Sequence, residues 1–206
     1  MRTRKRALDP SEFWSWFLKT ADSIASNPQD PAVLSELDGR LRRLDSRLSW
    51  EIGPGLSKRW QLVISPNLKR SLRKIAKTVV SAAPVLPDWE FHSARQPKNW
   101  QYKFELENPK GNSSTELDAS AWTFVLLKYP EGTNEILLKA ENVIALTNQQ
   151  RKLAATIVLE SILGEDTLLD SVYDFQLVEE LEPRFRKRQR PIRLLRDAVR
   201  GVSSVH

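Results

Sequence analysis

His92 is the one histidine of this chain ahead of the C-terminal residue, and its neighbours decide what it could do. It ends the run Trp89-Glu90-Phe91-His92. If Trp89 and Phe91 face a core, Glu90 and His92 share the opposite face of their strand, because side chains alternate along a strand. Glu51, in the alternating run Leu48 to Ile52, is expected on a neighbouring strand. Two carboxylates and an imidazole on one sheet face, with Arg95 and Lys98 just beyond, could perform hydrolase-like acid–base chemistry or bind an anion. The plainer alternative is a solvated face with cross-strand ion pairs. Glu51, Glu90 and His92 are therefore the candidate catalytic residues of an enzyme reading that ranks behind a binding role.

Other chemistry is excluded by composition. The chain has no cysteine, so thiolate nucleophiles, disulfides and cysteine-held zinc are absent. A multi-histidine metal site cannot be assembled from one internal histidine. No nucleophile-elbow motif accompanies His92 to complete a Ser-His-Asp triad. The seven glycines are scattered, and the one Gly-x-Gly carries Pro54 at its centre, where a phosphate loop needs an N–H. The expectation is no cofactor and no metal.

Charge is the second signal. Residues 1–6 sum to +4 and residues 183–206 to +7, leaving −5 for residues 7–182 out of a chain total of +6. The basic character thus belongs to two ends. The C-terminal end carries Arg184, Arg186, Lys187, Arg188, Arg190, Arg193, Arg196 and Arg200, the candidate binding residues. Ile192, Leu195 and Val199 can form one apolar stripe there, bordered by Leu194 and Ala198, giving a short basic amphipathic helix. Forked guanidinium donors match phosphate oxygens. Nucleic acid, an anionic membrane and an acidic protein groove all suit such a segment, and so does docking on the chain's own acidic body. Lys69, Arg70, Arg73, Lys74 and Lys77 form a second basic run. It either extends that surface or is the wet side of an amphipathic helix.

The elements that must position these residues are legible from periodicity. Asp9, Pro10 and Glu12 read as cap, first helical residue and capping-box partner of a helix over 10–26, with Leu8 and Phe13 as its hydrophobic staple. Asp30-Pro31 starts a second helix, over 31–47, and the pair forms a helical hairpin. Leu48, Trp50 and Ile52, then Trp60, Leu62 and Ile64, alternate as an antiparallel strand pair around Gly53-Pro54-Gly55. A helix over 68–82 follows. Strands are expected at Trp89 to His92, at Trp100 to Glu107, across the apolar run 119–128, from Ile136, and at Tyr173 to Leu177. Residues 108–116 read as a polar loop. Thr147 and Gln150 open a helix over 147–163 that Gly164 ends.

Several of these segments contain short motifs that resemble a family of bacterial proteins of unknown function. They are Phe13-Trp14-Ser15-Trp16-Phe17, Trp50-Glu51-Ile52-Gly53, Ile64-Ser65-Pro66 and Ala82-Ala83-Pro84. Trp89-Glu90-Phe91-His92, Ala94-Arg95, Pro97-Lys98 and Leu163-Gly164-Glu165 continue the series. The resemblance spans roughly residues 10–180 and implies no activity. The expected fold is α+β: a single domain over 9–182, in which an antiparallel or mixed sheet of about six strands packs on the helical hairpin and two further helices. A basic arm precedes it at 1–8 and a basic tail follows it at 183–206. No run is long and apolar enough to span a bilayer, and no signal-peptide pattern follows the basic start, so the expected compartment is the cytoplasm. The leading functional expectation is a non-enzymatic bacterial binding or accessory protein of immunity or adaptor type, contacting a protein partner. The alternatives are the enzyme above and a non-specific nucleic-acid binder acting through the arginine-rich tail.

Overall fold

The computed structural model describes residues 8–107 and 114–201. Most of the basic N-terminal arm, the centre of the polar loop and the last five residues lie outside the described residues. The fold is α+β, with the N-terminal helical hairpin in place. The chain forms two compact units, Met1–Arg95 and Gln96–His206. Among the described residues, the strands make up three small sheets of three, two and four strands.

The first unit begins with α1 (Ser11–Ser26) and α2 (Pro31–Leu44). Phe13, Trp14, Trp16, Phe17, Ala21 and Ile24 bury one face of α1. Its expected capping box does not form. Pro10 occupies the cap position, and Asp9 instead accepts from the Ser11 N–H at 3.0 Å. At α2 the cap is as expected: Asp30 accepts from the N–H groups of Ala32 and Val33. β1 (Ser49–Pro54) pairs antiparallel with β2 (Trp60–Ser65), and β2 pairs parallel with β3 (Trp89–His92). A parallel partner needs a crossover, which α3 (Arg73–Ser81) supplies. This helix starts later than periodicity suggests. Asn67 and Leu68 adopt φ of 53° and 55°, a left-handed pair that no helix can contain. Arg70–Leu72 then makes a single 3-10 turn.

One core joins these elements. Phe17, Leu37, Leu41, Leu62, Ile64, Leu72 and Val79 are fully buried in it. Trp14 meets Phe91 edge-on with ring centroids 4.8 Å apart, and Phe17 meets Trp89 at 5.0 Å. The Trp14 indole N–H donates to the Val79 carbonyl at 2.7 Å, which fixes α1 against α3. Five of the seven tryptophans lie in this unit, and they are packing residues.

The second unit holds β4 (Lys103–Glu107) paired antiparallel with β5 (Ser114–Asp118), whose residues fall partly in the expected loop. Its main sheet has the order β8-β7-β6-β9, formed by β6 (Thr123–Lys128), β7 (Asn134–Lys139), β8 (Val172–Val178) and β9 (Arg190–Pro191). β6 and β7 are antiparallel, and β7 and β8 are parallel. The crossover consists of α4 (Asn148–Leu163) and α5 (Glu165–Ser171). Both units therefore repeat one order, a strand hairpin followed by a helical crossover to a parallel third strand. The Thr147–Gln150 capping box is present at α4, and Gly164 separates α4 from α5 with φ 79° and ψ 155°. That conformation is essentially restricted to glycine.

Residues beyond 182 are built into the second unit. α6 (Pro183–Arg186) leads to β9, which pairs with β6 through Thr123 and Phe124. A 3-10 turn at Ile192–Leu194 and α7 (Leu195–Arg200) follow. Ile192, Leu195 and Ala198 are the buried residues, so the apolar stripe runs through Ala198, with Val199 half-buried beside it.

Candidate functional site

Strand register settles where the acid–base candidates stand. Trp89 and Phe91 turn toward the core, so Glu90 and His92 share the other face, as alternation requires. Glu51 pairs with Val63, and Val63 pairs with His92. Glu51 and His92 therefore lie on one row of the three-stranded sheet with a buried valine between them. Two strand spacings put their Cα atoms about 10 Å apart. Glu90 sits two residues along β3, beside Gln61. The three candidates share a face of the sheet.

Each carboxylate has its own structural partners. Glu90 accepts from the N–H groups of Leu56 and Ser57 and from the Ser57 hydroxyl, which ties β3 to the loop between β1 and β2. His92 Nε2 lies 3.3 Å from Glu90 Oε1, outside hydrogen-bond geometry. Only 11% of the Glu90 side chain is exposed, against 23% for His92. Burial alone would raise the Glu90 carboxyl. Hydrogen bonds from the Ser57 hydroxyl, the Leu56 N–H and the Ser57 N–H, with His92 beside them, outweigh it and hold the group down at about 2. A carboxyl held so low is ionised at neutral pH and has no proton to donate.

Glu51 belongs to a different cluster. Arg95 Nε lies 3.6 Å from Glu51 Oε2. The same guanidinium donates to the hydroxyls of Ser65 and Ser49, each at 3.0 Å. Ser49 and Ser65 are register partners at one end of the β1–β2 pair, so Arg95 clasps both strands there. Lys98 belongs to the second unit, where its N–H donates to the Ser161 carbonyl at 2.7 Å. Sequence reasoning missed Ser49, Ser57 and Ser65. Ser57 had one legible signal, its place just after the Gly53-Pro54-Gly55 turn.

The C-terminal cations divide into two groups. Arg196 is half-buried and donates to the Ile162 carbonyl at 2.7 Å, which anchors α7 on α4. Arg186 donates to the Leu181 carbonyl at 3.3 Å and lies 3.5 Å from Glu180. Arg188 donates to the Leu126 carbonyl at 3.3 Å, and the Arg190 guanidinium stands 5.9 Å from the Phe124 ring centroid. Arg184 pairs with Glu182 at 2.9 Å and stacks on Phe185. Lys187, Arg193 and Arg200 are exposed. Most of this segment's guanidinium groups thus make contacts within the second unit.

The second basic run remains at the surface. Lys69, Arg70, Lys74 and Lys77 are exposed and Arg73 is half-buried. Arg70, Arg73, Lys74, Lys77, Thr78 and Ser81 line an open hollow of about 530 Å³. Among the described residues, no group of three or more histidine, aspartate or glutamate side chains comes together as a metal site. No helix there is long and apolar enough to cross a membrane. Comparison with protein-family models, with curated proteins and with solved structures finds no match to this chain.

Proposed function

We propose that this chain is a non-enzymatic binding protein of the bacterial cytoplasm that holds an anionic partner by surface charge. One observation carries the reading: the two candidate carboxylates are engaged in holding strands and a loop together. Glu90 is clamped and ionised, Glu51 faces the Arg95 clasp, and His92 stands two strand spacings from Glu51, across Val63. A general acid or base needs a proton-transfer partner within hydrogen-bond reach and a pKa near the working pH. Glu90, held down at about 2, lies far from a working pH near neutrality. Exposed cations, by contrast, stand on α3 and along the C-terminal segment.

A substrate panel tests the reading. Wild-type protein, Glu90→Gln and His92→Ala are assayed against activated esters, phosphomonoesters and phosphodiesters. The expectation is that wild type does not exceed buffer. A turnover shown by wild type and lost in both folded variants would reinstate the enzyme reading and sink this one.

A further inference from the structure

The sequence from Asn67 to Pro87 contains five cationic side chains and no carboxylate. The neighbouring helix α2 is different. There Arg40 pairs with Glu36 at 2.7 Å and Arg42 with Asp38 at 2.5 Å, each one turn apart. On α3 and the turn before it, the one-turn neighbours Arg70 and Lys74, and Arg73 and Lys77, carry like charge. Like charges at that spacing weaken a helix. Arg73 and Lys74 also occupy the first turn of α3, the positive end of its dipole, where carboxylates are the stabilising choice. This distribution opposes the helix's own stability, and an anion bound on the outside would relieve it.

The kind of anion follows from what the face lacks. Leu72, Ala76 and Val79 are buried inward, and Ile75 and Val80 pack on the same core. From Lys69 to Ser81 there is no aromatic residue and no exposed large apolar side chain. A protein–protein contact needs an apolar centre with anchor residues such as Trp or Tyr. Contact with a nucleic-acid backbone needs only cations, because phosphate neutralisation and counterion release supply the affinity. Lys74 and Lys77 stand about one turn apart on α3, roughly 5 Å along its axis, and Arg70 lines the same hollow from the 3-10 turn before them. Arg73 keeps an interaction within the protein and borders the row. The hydroxyls of Thr78 and Ser81 donate to the helix's own carbonyls at 2.9 Å, which leaves the cations as the outward donors. Lys69 lies within the field of Asp45 and is left out of the row.

We propose that the outer face of α3 and of the 3-10 turn before it binds the nucleic-acid phosphate backbone without reading sequence, with Arg70, Lys74 and Lys77 each neutralising a phosphate. This rests on the binding-protein reading above and names its partner. Phosphate contacts position a protein but specify no base, so affinity is independent of sequence and falls steeply with salt.

The test uses the full-length protein and fluorescence anisotropy of a labelled 20-base-pair duplex and a 20-nucleotide RNA, with poly-glutamate as competitor. Three phosphate contacts on the duplex predict about a 40-fold loss of affinity between 50 and 200 mM monovalent salt. The variant Arg70→Gln/Lys74→Gln/Lys77→Gln removes that dependence, with a slope smaller by about 2.7 on duplex and about 2.1 on single strands. The control Lys19→Gln/Lys128→Gln/Lys152→Gln, which removes three exposed lysines elsewhere, keeps the wild-type slope. Thermal melting checks that the α3 variant folds, and loss of like-charge pairs should leave its midpoint equal or higher. Wild type that binds neither nucleic acid at 50 mM salt overturns the proposal. So does an α3 variant with unchanged affinity. If poly-glutamate displaces the probe at equal charge concentration, the nucleic-acid assignment falls and the broader binding reading survives. Turnover in the substrate panel removes the broader reading whatever the anisotropy shows.

Discussion

Glu90→Gln removes a charge whose partners are all known. The carboxylate holds the Leu56–Ser57 loop through two N–H groups and a hydroxyl, and its carboxyl is lowered from an ordinary 4.5 to about 2. At 1.36 kcal/mol per pH unit, that gap limits the stabilisation at neutral pH to about 3 kcal/mol. Leu56 and Ser57 are exposed, so water replaces part of what the variant loses, and a net bond contributes only about 0.5–1.5 kcal/mol. We expect a loss of about 2 kcal/mol, or about 4–8 °C in the melting midpoint for a chain of this size. Tryptophan fluorescence suits the measurement because the first unit holds five of the seven tryptophans. The sign with pH is fixed. The folded value lies below the unfolded one, so the contribution is complete above about 4.5 and fades as pH falls toward 2. At pH 3 the wild-type advantage should shrink to roughly two-fifths of its value at pH 7. A variant melting within about 1 °C of wild type at pH 7 would refute the clamp. A gap as large at pH 3 as at pH 7 would refute its electrostatic origin.

Three further perturbations bear on the second unit. Gly164→Ala should lower the urea midpoint by the equivalent of about 1–3 kcal/mol, because φ 79° with ψ 155° admits essentially only glycine. The added Cβ would also come within 2.8 Å of Pro97 Cδ, so a neutral substitution would contradict the geometry of the α4–α5 junction. Ending the chain after Glu182 removes β9 and the buried Ile192 and Leu195, each contributing about 1.5–3 kcal/mol. The amide spectrum of β6 and α4 should then lose dispersion, and an unchanged spectrum would show that the C-terminal segment is dispensable. Thr147→Ala opens the capping box at α4 and should cost about 1 kcal/mol in chemical denaturation. Thr147→Ser, which keeps the hydroxyl, should lose much less.

How much of this was legible in the sequence depends on how far each signal reaches along the chain. Periodicity placed the hairpin helices, the β1–β2 pair and the β6 and β7 strands, because a helix face or strand face repeats within a few residues. Alternation put Glu90 and His92 on one face and Trp89 and Phe91 on the other. Capping chemistry located the start of α4 to the residue, since Thr147 and Gln150 satisfy each other's backbone locally. At α1 the same pattern misled: Pro10 took the cap position, and Asp9, before it, accepts from the Ser11 N–H.

The sequence by itself determined the α+β class, the absence of any cysteine chemistry and which residues carry charge. Only the tertiary structure decided what those charges touch. Strand register put a buried valine between Glu51 and His92, and a loop 33 residues away captured Glu90. Neither follows from spacing, because register depends on which strands meet across the sheet. The C-terminal arginines read as a basic tail for which docking on the body and binding a partner are both open, and β9 completes a sheet while Ile192 and Leu195 enter a core. On α3 the difference is greatest. Five cations in one basic run read in sequence as either a binding surface or a wet helix face, and folding left Arg70, Lys74 and Lys77 exposed along one open hollow.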